Sequence, residues 1–130
     1  MITRATIYPM NEAGWYELYF QIYLDGMNNV QFQTGAGGLS YAVVTDGVPT
    51  RTFLTYDPAK HRHLRFRHDA VAHLINFEAS GDSTTFETLD TLVVPWSFSA
   101  AKVTFFAGTF QTGGVPPGSA RFDDFSVCPP

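Results

Sequence analysis

The chain has 130 residues, room for one domain built around one hydrophobic core. Hydrophobic residues make up 45% and aromatic residues 15%, with 12 Phe, which excludes a disordered polymer. A net charge of −4 excludes a general electrostatic attraction to nucleic acid or to an anionic membrane, so neither is expected as a partner.

In chain order the sequence reads as strands. Met1-Ile2-Thr3-Arg4 has no apolar core behind its positive charge, so no secretory signal is expected there. From Trp15 to Leu24 one parity is Tyr16, Leu18, Phe20, Ile22, Leu24 and the other is Trp15, Glu17, Tyr19, Gln21, Tyr23. That pattern predicts a long half-buried strand with an apolar inner face and an aromatic, amphipathic outer one. Glu17, Gln21 and Asp25 also keep this stretch from reading as a membrane span. Asp25-Gly26 and Asn28-Asn29 mark a turn, after which Val30 and Phe32 are expected inward and Asn29, Gln31 and Gln33 outward.

Gly35–Gly38 turns the chain into a strand at Leu39–Thr45, and Asp46-Gly47 turns it into Thr50–Thr55. Tyr56–Lys60 is a corner around Pro58. Strands are predicted at His63–His68, Val71–Glu78 and Thr84–Thr88, with a tight turn at Ser80–Ser83. Leu92–Phe98, broken by Pro95, reads as an edge or crossing loop, and Lys102–Ala107 as a buried strand. Gly113–Gly118 is a rigid loop, and Ala120–Val127 a closing strand with a bulge at Asp123-Asp124. Many short strands separated by regular turn signals predict an all-β protein, a sandwich or a barrel. The single cysteine, Cys128, cannot form an internal disulfide, so packing alone must hold the fold.

Three stretches carry a family resemblance. Tyr56-Asp57-Pro58-Ala59-Lys60-His61-Arg62-His63-Leu64-Arg65-Phe66-Arg67 resembles a segment of concanavalin-A-like lectin/glucanase jelly rolls of actinobacterial proteins and phage tail or capsid proteins. Phe77-Glu78-Ala79-Ser80 with Phe86-Glu87-Thr88-Leu89 is similar to the hairpin that follows in that family, with Phe77 and Phe86 where tryptophans are usual. Ala107–Phe110 and Pro117–Phe125 resemble its closing segment. The resemblance implies a two-sheet antiparallel β-sandwich, a jelly roll spanning residues 1–130. It also implies that N-terminal strands usual in the family are missing before Ala5, which would open a sheet edge for association.

The outer parity supplies the candidate site. Trp15, Tyr19 and Tyr23 share one face with Glu17 and Gln21, and Gln31 lines the neighbouring strand. Sugar rings stack on aromatics through their C–H faces and need amide or carboxylate partners for their hydroxyls, so the mixture suits a glycan. Arg65, with His63 and Arg67, forms a basic strand face that could meet an acidic polymer and is counted with the ligand-binding residues. His61 and His63 share a strand face as an H-x-H pair, but ligation needs three or four converging groups and no metal is expected. Asp123-Asp124 matches a calcium position of related jelly rolls, yet a bulge-capping carboxylate is the reading preferred here. Glu78, Asp82 and Glu87 read as turn and surface groups, not as a glycosidase pair, and no nucleophile or phosphate-binding motif is present. The sequence thus predicts a non-catalytic binding and assembly module without cofactors. The expected partners are a glycan or, as the resemblance implies, other virion proteins, in a homo-oligomer at a virion surface or outside the cell. The alternative is a carbohydrate-binding module acting beside a secreted glycosidase.

Overall fold

The computed structural model describes residues 1–8, 16–35, 38–109 and 121–128. These form ten strands and one short helix: β1 Ile2–Tyr8, β2 Tyr16–Tyr23, β3 Asn29–Gly35, β4 Gly38–Thr45, β5 Val48–Thr55, α1 Pro58–His61, β6 His63–Asp69, β7 Leu74–Ser80, β8 Glu87–Val93, β9 Lys102–Thr109 and β10 Arg121–Cys128. They make two five-stranded sheets, ordered β10-β1-β6-β7-β8 and β5-β4-β3-β2-β9, each in its own compact unit. The expected all-β class, with two antiparallel sheets as in a β-sandwich, is what the chain forms.

In the β2–β5/β9 sheet the expected alternation holds. Leu18, Phe20 and Ile22 are buried, as are Val30 and Phe32 of β3 and Leu39, Tyr41 and Val43 of β4. Register sets Phe105, Phe20, Phe32 and Tyr41 side by side on four adjacent strands. Their ring centroids lie 5.2, 6.3 and 6.4 Å apart in turn, so the buried face of this sheet is crossed by an aromatic row. The β4–β5 hairpin turns on Asp46 (φ 51°) and Gly47 (φ 78°), the successive left-handed pair that an Asp-Gly turn supplies at little steric cost.

The other sheet buries Ala5 of β1, Leu64 and Phe66 of β6, and Ile75, Phe77 and Ala79 of β7. β1 lies between β10 and β6, so the strand containing Ala5 is flanked on both sides; the edges of this sheet are β8 and β10. Asp124 takes φ 51°, a break in the alternation where the bulge is expected.

Three expectations about elements shift. Val71 belongs to a turn and is 94% exposed, because the Asp69 carboxylate accepts from the backbone N–H of Val71 and Ala72 and so occupies donors that a strand would have used. β8 starts at Glu87, not Thr84, because Asp82 likewise accepts from the N–H of Thr84 and Thr85. β9 is an edge strand with Phe106 and Ala107 exposed, not a buried one. Cys128, at the end of β10, is free and exposed. Among the described residues no helix is long and apolar enough to cross a membrane.

Candidate functional site

The face of the β2 sheet opposite its aromatic row carries a second, polar pattern. Register aligns Thr104, Gln21, Gln31, Ala42 and Arg51 across five strands, and beside them Phe106, Tyr19, Gln33, Ser40 and Phe53. Directly opposed residues of antiparallel strands point to the same side, so these ten positions share one face.

Hydrogen bonds join them. Thr104 Oγ1 donates to Gln21 Oε1 (3.2 Å), and Gln21 Nε2 donates to Gln31 Oε1 (2.9 Å), a polar ladder over three strands. Arg51 Nη1 donates to Gln33 Oε1 and, at 3.5 Å, to Ser40 Oγ. Tyr19 donates its hydroxyl to Glu17 and meets Phe106 edge-on with centroids 5.8 Å apart. Burial and then the Glu17 carboxylate push the Tyr19 phenol up to about 12, so it stays a donor through the neutral range. The exposed rings frame the polar strip: Phe106 (54% exposed) on β9 and Phe53 (75%) on β5, with the Arg51 guanidinium 5.9 Å from the Phe53 centroid. Between β2 and β9 a shallow cleft runs along Tyr19, Gln21, Tyr23, Thr104 and Phe106.

Of the expected ligand-binding residues, Tyr19, Tyr23 and Gln31 are brought together here. Gln31 points to this face but is only 5% exposed, and Asn29 is buried too, which corrects the expectation that both are outward contacts. β3 is the middle strand of the five, and buried Gln31 acts on this face by accepting from Gln21. Trp15 lies outside the described residues. Arg65 belongs to the other sheet: its Nε donates to Glu78 Oε2 (2.5 Å) and its guanidinium stacks 3.9 Å from the Phe86 centroid. Arg67 Nε donates to Glu78 Oε1 (2.8 Å), so Glu78, 3% exposed, is a buried carboxylate shared by two arginines and not a surface group.

The H-x-H pair does not form one strand face. His61 ends α1 and is buried, and its Nδ1 accepts from the Asp57 N–H at 3.0 Å, holding the corner. His63 opens β6 and pairs through Nδ1 with Thr6 Oγ1 (2.8 Å), which also bonds Asp124 (3.0 Å). Among the described residues no three His, Cys, Asp or Glu side chains converge as metal ligands. Residues missing from the sequence reading are Arg51, Phe53, Thr104 and Phe106. Each stands on an edge strand, β5 or β9, whose place beside the central strands no local pattern announces.

The chain is thus an all-β protein whose β2–β5/β9 sheet presents a polar, aromatic-framed face. No known protein family model and no curated protein matches the chain. Among solved structures it is similar to a functionally unknown protein from Saccharomyces cerevisiae. That likeness has a TM-score of 0.67, covers 99% of this chain and 69% of the yeast protein, and carries 14% sequence identity, so it extends to the fold alone.

Proposed function

We propose that the protein is a non-catalytic glycan-binding module whose contact surface is the outer face of β9, β2, β3, β4 and β5. The observation that carries this reading is the Thr104–Gln21–Gln31 ladder flanked by Tyr19, Phe106 and Phe53. The Gln21 amide, fixed by Thr104 and by buried Gln31, presents an ordered donor and acceptor to sugar hydroxyls, and the rings offer platforms for C–H faces. Glu17 is the one carboxylate among the described strand residues of this face, and its Oε2 accepts from the Tyr19 hydroxyl. Hydrolysis of a glycosidic bond needs two carboxylates across the bond, so binding without cleavage is what these groups support.

The setting of a phage virion surface, and a place among concanavalin-A-like jelly rolls, draw support from the resemblance of Tyr56–Arg67 and of the closing segment. Assembly into a homo-oligomer belongs to the same reading.

A glycan array followed by calorimetry tests the function. Tyr19→Ala and Phe106→Ala are each expected to weaken binding at least about tenfold, the scale of one lost aromatic contact. Thermal melting of both variants checks that the fold is intact. An array silent for the wild-type protein, or binding untouched by both substitutions, overturns the reading.

A further inference from the structure

We propose that Arg51 makes this face selective for glycans bearing a carboxylate, with a uronate- or sialate-type sugar held by the guanidinium and its ring laid against Phe53. The inference rests on the glycan-face reading above and names the sugar class it would take. Arg51 stands on the edge strand β5 opposite Ala42, whose single methyl lets the long side chain run inward along the sheet. Its Nη1 is tied to Gln33 and Ser40, which fixes the plane of the guanidinium. Nε and Nη2 then form the opposite edge, and among the described residues no protein acceptor meets either nitrogen. Two parallel N–H groups on one edge match the two oxygens of a planar carboxylate.

In the same chain the half-buried Arg65 and the more exposed Arg67 both take a carboxylate partner. Arg65 and Arg67 each direct Nε to an oxygen of Glu78. Arg51, also half-buried, has no such carboxylate among the described residues. Glu17 accepts from Tyr19, and Lys102, opposite Tyr23, adds a second cation to the same face. Among the described strand residues of this face two cations stand against one carboxylate, a local positive balance on a chain of net charge −4, which is charge complementarity for an acidic sugar and not for a neutral one.

Calorimetry of the full chain with trigalacturonate, its fully methyl-esterified form, sialyllactose, lactose and dextran sulfate separates the outcomes. At least one carboxylate glycan is expected to bind about tenfold or more tighter than its neutral counterpart, the scale of a charge-assisted hydrogen bond. Arg51→Gln is expected to erase that ratio, so that the variant binds the acidic glycan no more tightly than the neutral one, while it still melts cooperatively. Arg51→Lys, which keeps the charge and loses the fork, is expected to fall between the two. Equal binding of acidic and neutral sugars, with both lost in Tyr19→Ala, overturns the carboxylate assignment and leaves the glycan face standing. Dextran sulfate bound as tightly as the carboxylates, with the preference unaffected by Arg51→Gln, overturns it as well. No binding of any sugar overturns both readings together.

Discussion

At the scale of single residues, His61 shows how one ring nitrogen ties a corner to pH. Its Nδ1 accepts the Asp57 N–H, a bond that only a lone pair on Nδ1 can make. Burial is the largest influence on the ring and pushes its pKa below the ordinary value; Asp57 and Glu87 pull it up and Lys60 pushes it further down. The folded protein therefore binds this proton less readily than the unfolded chain does. The stabilisation is complete above the unfolded value of about 6.5 and is lost as pH falls from there toward the folded value. His68, also lowered by burial, acts in the same direction. The carboxylates of Asp25, Asp69 and Asp82, held low by backbone and side-chain donors, lose their share only in a more acidic window, below about pH 4. Denaturant midpoints should therefore drop between pH 7 and pH 5, and the drop should shrink in His61→Gln. The His61 ring protons should titrate below 6.5 by NMR; a midpoint at or above that value would contradict the corner as described.

At the scale of elements, the docking of α1 on the end of β7 depends on one missing side chain. A Cβ on Gly81 would come within 1.8 Å of the Ala59 carbonyl oxygen and 2.6 Å of its carbon, backbone atoms that cannot swing aside. Gly81→Ala must push the helix away from the strand. A cost on the order of 1–3 kcal/mol, typical of overpacking, is expected in chemical denaturation. Gly81→Ser should cost at least as much, whereas a silent Gly81→Ala would mean that helix and strand are not in contact. Elements are also where the sequence was most and least legible. Alternation in β2, β3 and β6 was plain because one face of each is packed with Leu, Ile, Val and Phe. The starts of β7 and β8 were not, because Asp69 and Asp82 capture backbone donors through bonds that periodicity does not register. Glu78 was misread for a related reason: its two arginine partners lie on the neighbouring strand, 11 and 13 residues back along the chain.

At the scale of the whole molecule, both sheets are assembled from distant pieces. The chain gives β1 to one sheet, β2 to β5 to the other, β6 to β8 to the first, β9 to the second and β10 to the first again. The candidate face inherits this: Gln21 and Thr104, which share a hydrogen bond, are 83 residues apart. Half of the face could be seen from Tyr19, Tyr23 and Gln31, and the half on β5 and β9 could not, since pairing between remote strands leaves no local trace. The same interleaving makes the first eight residues structural. β1 supplies the backbone partners of β6 from Ile2↔Arg67 to Thr6↔His63, and it separates β6 from β10. Without β1, β10 has no neighbouring strand, and the buried Leu64 and Phe66 of β6 lose their cover on one side. A chain lacking residues 1–8 is therefore expected to lose the cooperative unfolding transition and the dispersed amide spectrum of its β6–β8 region. A peptide of residues 1–8 added in trans should restore both by strand addition. A truncated chain that melts like the full one would show that β1 is dispensable.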